Sequence, residues 1–303
     1  MDATNRSYIY VPCNHCGRDV TRGVHNISRL VECVNCGLIF VNPRPSFEEL
    51  ARQYGDHYFN CPEPTFGGYE DYEADREDID NTFRRRLALL KPWVTEGRPR
   101  LLDAGCATGL FLEVARSAGW DAEGMDISEF ALAKARQRGF RVMQGTLPDP
   151  ALPAGSYDVI TLWDVIEHVP DPAAVVRECH RLLRPGGILA MSTPDAGSLP
   201  ARLLRGKWLG FRSIDEHLYF FSHASMTAML ERAGMRVLRY HDVGKVLSLP
   251  RLIARMRFYS RIAALLLKTA DRLVPNLSVY VNPHDTMCVI ADKNASVSPA
   301  RSA

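Results

Sequence analysis

The chain has no long apolar run: the longest one near its C-terminus, Ile262 to Leu267, is far too short to span a bilayer. It has almost no excess of charge of either sign. A net +2 over 303 residues gives little reason to expect nucleic acid as a main partner. The first residues, Met1-Asp2-Ala3-Thr4-Asn5, bring neither a basic start nor an apolar stretch. No secretory signal is visible, and a cytoplasmic, reducing compartment is expected. Asn294-Ala295-Ser296 is then a chance sequon. What remains is ordinary for a globular protein, 46% hydrophobic and 24% charged, at a length that suits one main domain and a small appendage.

Leu101-Leu102-Asp103-Ala104-Gly105-Cys106-Ala107-Thr108-Gly109 reads as a buried strand, a glycine-rich turn and a helix start. Asp126 closes the next apolar segment. Such a strand end, small-residue loop and helix N-terminus form a nucleotide-shaped socket. Two familiar sockets are missing. A phosphate loop needs Lys-Ser or Lys-Thr after its second glycine, and Leu110-Phe111 stands there. A dinucleotide fingerprint needs glycine at its sixth position, which Leu110 occupies. Asp103, two residues before Gly105, would repel a pyrophosphate but suits a cationic ligand.

Four further pieces follow in order: Gly124–Ser128, Gln144–Asp149, Tyr157–Pro172 and Leu182–Pro194. With them, residues 101–193 resemble the class I S-adenosylmethionine-dependent methyltransferases, whose motifs occur in this order and roughly at this spacing. Ala107 departs from many relatives, which have glycine there; a small alanine is expected to keep the loop's shape. The resemblance implies an α/β, doubly wound, mostly parallel seven-stranded sheet of Rossmann-like type, its last strand inserted antiparallel between its neighbours. It also implies S-adenosylmethionine, which carries a sulfonium and an ammonium and no phosphate.

The eight cysteines divide in two. Cys13, Cys16, Cys33 and Cys36 form two C-x2-C knuckles, each followed by glycine, a spacing that fits a tetrahedral zinc site, or iron in its place. Two disulfides are the rival reading, which a reducing compartment disfavours. Four thiolates leave no open position, so the expected role is structural, replacing the core that so short a segment cannot bury. Cys61, Cys106, Cys179 and Cys288 read as packing thiols.

The expected organisation is a zinc ribbon over 1–45, a linker with helices over 46–99, a methyltransferase domain over 100–293 and a disordered tail over 294–303. In the ribbon, strands are expected near 8–12, 30–33 and 38–41. Ser46 caps a helix over 47–54, residues 55–75 cross the surface, and another helix runs from about Ile79 to Leu90, where Pro92 stops it. Strands near 100–104, 121–126, 140–144, 157–163 and 187–192 alternate with helices near 109–118, 128–138 and 171–183, the pattern of a parallel sheet. A helix from Ser222 and strands at 236–241 and 286–291 complete it. Residues 248–274 form a helical insertion with apolar residues at helical spacing and a basic remainder. It packs over the pocket or against another subunit, or it touches an anionic membrane peripherally.

The expected cofactor residues are Asp103, Gly105, Cys106, Gly109, Asp126, Ile127, Gly145, Thr146 and Asp164. Asp126, at a strand's carboxyl end, would accept the ribose hydroxyls, although it also suits a helix N-cap. Gly145 and Thr146 would flank the adenine, and Asp164 would lie beneath the methionine moiety. Methyl transfer from a sulfonium is an in-line displacement that needs positioning first, and a base only where the nucleophile keeps its proton. His168 and His217 are the candidate bases, with Glu216 expected to fix the tautomer of His217. The string Glu216–Ser222 is similar to the substrate-side loop of zinc-ribbon sugar and small-molecule methyltransferases. Those relatives often carry a further C-terminal domain, which is not seen here. Tyr69 and Tyr72 are either lid or surface aromatics. The expected activity is methyl transfer to oxygen, nitrogen or carbon of a sugar, secondary metabolite or lipid-like precursor. The alternative is an RNA-modifying methyltransferase that grips its substrate through the ribbon, against which the ribbon's mild charge argues. A non-enzymatic cofactor-binding scaffold is disfavoured by the intact motif set.

Overall fold

The computed structural model describes residues 8–46, 49, 75–94, 97–259 and 277–293. The helix expected over 47–54 (Glu49 apart), the surface segment after it, Cys61, Tyr69 and Tyr72, the second half of the 248–274 insertion and the tail after Lys293 lie outside them.

The N-terminal segment forms β1 (Tyr8–Ile9), β2 (Thr21–Gly23), β3 (Leu30–Cys33), β4 (Ile39–Val41) and β5 (Arg44–Pro45). Helix α1 (Arg76–Leu90) precedes the alternation β6 (Arg100–Ala104), α2 (Leu110–Ser117), β7 (Asp121–Asp126), α3 (Glu129–Gln137), β8 (Arg141–Gln144), β9 (Tyr157–Trp163), α4 (Pro172–Leu182) and β10 (Leu183–Pro194). Then come α5 (Leu199–Leu204), β11 (Tyr219–Phe220), α6 (His223–Arg232), β12 (Arg236–Asp242), β13 (Lys245–Ser248), α7 (Leu249–Tyr259), β14 (Ser278–Val281) and β15 (Thr286–Asp292).

The central sheet has seven strands in the order β12-β15-β10-β9-β6-β7-β8. From β10 to β8 all neighbours are parallel. Strand β15 inserts antiparallel between β10 and β12, as the resemblance implied. Every residue of β9 is buried, as a strand covered on both faces requires. Sequence chemistry sets the helix starts: the Ser128 hydroxyl accepts the Ala131 amide, and the Asp171 carboxylate accepts the Ala174 amide just ahead of Pro172. The strand order reverses between β6 and β9, and that reversal opens a crevice at the carboxyl edge of the sheet.

Strands β2, β3 and β4 make an antiparallel ribbon whose fourth strand is β11, paired Tyr219 to Phe40 and Phe220 to Ile39. Neither β2 nor β11 stands out in the sequence. The buried Cys13, Cys33, Leu38 and Phe40 belong to the same apolar cluster as Ile160, Leu162 and Met191 of the main sheet. A separate pair, β13 with β14, was also unforeseen.

Candidate active site

The loop after β6 turns through three left-handed residues: Gly105 (φ 87°), Ala107 (φ 47°) and Gly109 (φ 85°). A Cβ on Gly105 would lie 2.4 Å from Val165 Cγ2, so close packing against the loop after β9 is a second demand for glycine there. Ala107 keeps the loop's shape at the cost of a strained φ. The Cys106 thiol is buried in one apolar cluster with Leu112, Leu132 and Phe140, the packing role its sequence position suggested.

Asp126 Oδ2 accepts the Ala107 amide and its Oδ1 the Ser128 amide, both at 2.9 Å. The carboxylate thus braces the glycine loop against the turn after β7. Burial raises its pKa, and the Ser128, Ala107 and Ile127 amides oppose that. Ile127 meets Asp126 through its main-chain amide. Each carboxylate oxygen retains acceptor capacity toward a further donor. Asp103 is buried and accepts a 2.6 Å bond from the Thr161 hydroxyl. Burial chiefly, with the Asp126 charge, pushes its carboxyl up to about 7. Gly145 donates to the Asp126 carbonyl at 2.9 Å, and Thr146 is exposed beside it.

Asp164 sits in left-handed backbone (φ 56°) at the end of β9. Burial works against its charge, yet Arg86 at 3.2 Å and Lys245 at 2.8 Å hold its carboxyl well below the usual range. The Ser192 hydroxyl adds a 2.6 Å bond. Neither cation was singled out in the sequence, where Arg86 is the last of the run Arg84-Arg85-Arg86. Helical spacing identifies it: Asp78, Thr82, Arg86 and Leu90 form one buried stripe of α1.

His168 and His217 meet edge to face, ring centroids 4.6 Å apart. The sequence reading is corrected at Glu216. Among the described residues its carboxylate makes no hydrogen bond to His217, and both Glu216 Oε2 and His217 Nδ1 are buried without a partner. Instead the Glu216 main-chain carbonyl lies 3.1 Å from His168 Nδ1. A carbonyl only accepts, so that bond places the proton on Nδ1 and the lone pair on Nε2 of His168. Burial depresses the pKa of His168 to about 4 and that of His217 well below its usual value. Glu167 was missed. It is 1% exposed, its Oε2 has no partner among the described residues, and burial with the Asp164 charge pushes its carboxyl up to about 8. Its signal was the sequence Glu167-His168 directly after the crevice strand. Glu167, His168 and His217 each offer one metal-ligand atom, all within 4.8 Å of one another.

The four ribbon cysteines also offer ligand atoms within 4.8 Å of one another, with Cys13 to Cys36 and Cys16 to Cys33 at 3.5 Å. All four are free thiols, so the disulfide reading is not realised. Burial raises Cys13 to about 11; Cys16 is also opposed by burial, but hydrogen bonds from the Arg18 main chain and Asn35 hold it at about 6.

A doubly wound sheet, a glycine loop under an acidic crevice and a strand-end carboxylate define a binder of a cationic nucleoside cofactor. Residues 74–240 match the family model described as a methyltransferase domain, and the chain belongs to that family. It is an S-adenosylmethionine-dependent methyltransferase. It is 32% identical over 172 residues to the ubiquinone biosynthesis O-methyltransferase of Bordetella avium, covering 51% of this chain and 70% of that one. The enzyme of the same name from Methylococcus capsulatus is 41% identical over 126 residues, covering 39% of this chain and 53% of that one. An S-adenosylmethionine-dependent methyltransferase from Archaeoglobus fulgidus shares the fold, with a TM-score of 0.51 at 18% identity, over 73% of this chain and 99% of that one. Among the described residues no helix is long and apolar enough to cross a membrane.

Proposed function

We propose that the chain methylates a hydroxyl oxygen of a small molecule, held at the mouth of the crevice against His168 and His217. The observation that carries this reading is the histidine pair itself, half-buried next to the strand-end Asp164. The relatives named as O-methyltransferases favour oxygen over nitrogen or carbon as the acceptor. Asp126 accepts the ribose hydroxyls, Asp103 faces the methionine ammonium side, and the loop of Gly105 and Gly109 lies along the cofactor. Gly145 and Thr146 flank the adenine. His168, fixed as the Nδ1–H tautomer, takes the acceptor proton on Nε2 as the methyl group leaves sulfur. Burial depresses its pKa, which keeps the ring neutral at neutral pH while weakening it as a base. Positioning supplies most of the rate, because the sulfonium is already an activated leaving group.

The cluster of Glu167, His168 and His217 favours a second reading, in which the three hold a divalent cation that would lower the pKa of an acceptor hydroxyl. A simple catechol tests both. Methylation that survives exhaustive chelation but is lost in His168→Gln supports the base; methylation lost on chelation and restored by magnesium or manganese supports the cation. No methyl transfer to the catechol under either condition removes the hydroxyl assignment. The ribbon cysteines would hold a structural zinc, and metal analysis of the purified chain should return about one zinc per molecule. A metal-free preparation with the fold intact would overturn that assignment.

A further inference from the structure

The two histidines stand on different loops, 164–171 after β9 and 213–218 before β11, and both loops are anchored to the N-terminal ribbon. The second is held along its main chain: the Val41 amide donates to the Leu218 carbonyl at 2.9 Å, and β11 then continues the ribbon sheet. Arg29 of the ribbon pairs with Asp215 at 2.6 Å, two residues before His217. The first loop is held by side chains. Asn14, inside the first cysteine knuckle, donates to Asp171 Oδ1 at 2.8 Å and accepts the Ala173 amide at 3.1 Å. One residue ties the first loop to β11, the strand that directly follows the second. The buried Arg44 Nη1 donates to the Pro170 carbonyl at 3.0 Å and to the Tyr219 hydroxyl at 2.7 Å. The Tyr219 hydroxyl in turn donates to Pro170 at 2.9 Å. Leu218 and Tyr219 donate their amides to the Glu167 carbonyl at 2.7 and 3.2 Å, closing the circuit beside His168.

We infer that Arg44 is a positioning residue for the His168–His217 pair, through which the ribbon serves the acceptor side of the site and not the cofactor side. The inference rests on the reading of those histidines as acceptor-side groups. None of the ribbon contacts just named reaches Asp103, Asp126 or the glycine loop. A planar guanidinium reaches two acceptors in fixed directions, which an ammonium does not. Arg44 therefore sets the spacing between the first loop and β11, onto which the second loop leads directly. A displacement of about 1 Å at such a site costs about 100-fold in rate.

The test uses the full chain with its native metal and imidazole-13C histidine, the His168 and His217 signals assigned from His168→Gln and His217→Gln. In Arg44→Ala and in Tyr219→Phe both ring signals should move. The dissociation constant for S-adenosylhomocysteine should stay at the wild-type value, and Arg44→Lys should restore the signals in part. With catechol as the probe, kcat should fall about 10- to 100-fold while the KM for S-adenosylmethionine holds. Ring signals left at their wild-type positions in Arg44→Ala would overturn the inference. So would displaced signals accompanied by an equal loss of cofactor affinity, which would mean general loosening. Should Arg44→Ala fail to fold, Tyr219→Phe removes only a hydroxyl and decides by the same signals. If the wild type ignores catechol while the ring signals respond, the acceptor assignment falls and the role of Arg44 stands.

Discussion

Asp103 is an acid placed under the glycine loop where burial favours its protonated form, with a pKa of about 7. A cationic ligand nearby favours the ionised form. Cofactor binding is therefore predicted to release a proton below that value, and affinity should climb with pH until it levels above about 7 and fall about tenfold per unit well below it. Calorimetry in buffers of different ionisation enthalpy measures both effects; an affinity flat across this range would remove Asp103 from the ligand's surroundings. For the unliganded chain the linkage has the opposite sense. The native pKa lies above the unfolded value of about 3.9, so this group's contribution to stability is complete below that value and is lost as pH rises towards 7. Ala107 was legible as a departure from the loop pattern, but its φ of 47° was not. Ala107→Gly is predicted to stabilise the fold by about 0.5–1 kcal/mol, left-handed strain relieved less glycine's extra unfolded-state freedom, measurable by urea unfolding. Arg86 was hidden for a different reason: three successive arginines look alike, and only the phase of the helix says which one turns inward to Asp164.

At the scale of elements, the parallel alternation was readable because each unit announces itself, with apolar strands, capping residues and glycine or proline stops. Ser128, Asp171, Ser222 and Gly234 all stand where the local chemistry required. The short strands were unreadable because their partners lie far along the chain: β11 pairs with a strand about 180 residues earlier, and β13 and β14 are separated in sequence by residues 249–277. Local periodicity carries no such information. The same distance effect brought Glu216 and His168 together through a main-chain carbonyl, which no side-chain pattern reports. The loop of residues 213–218 is predicted to serve the chemistry more than the fold. His217→Ala should slow single-turnover methylation by about 100-fold or more while leaving cofactor affinity unchanged. Equal losses of both would assign His217 to the structure. At α4, Asp171→Ala removes the cap on the Ala174 amide and the partner of Asn14, and should cost about 1 kcal/mol in thermal or urea unfolding.

On the scale of the whole molecule, the ribbon over residues 8–45 shares an apolar cluster with the main sheet. It closes on itself through β1 and β5, then takes its last strand from residues 219–220 and its apolar neighbours from β9 and β10. A linear reading divides the chain at 45 because the cysteines end and a proline-rich turn follows; packing puts no gap there. Histidine pair and ribbon are consequently neighbours, and the chain is predicted to unfold as one cooperative body. If so, metal at the cysteines stabilises the entire chain by mass action, not the ribbon alone. Differential scanning calorimetry should show a single transition, with calorimetric and van't Hoff enthalpies in agreement. Chelation should lower that transition as a unit and expose the buried Tyr219 and Trp208 together. Two separate transitions, with the lower one abolished by chelation and the upper one unmoved, would show the ribbon to be an independent appendage. Its contacts with the two histidine loops would then be too weak to couple the folding of one to the other.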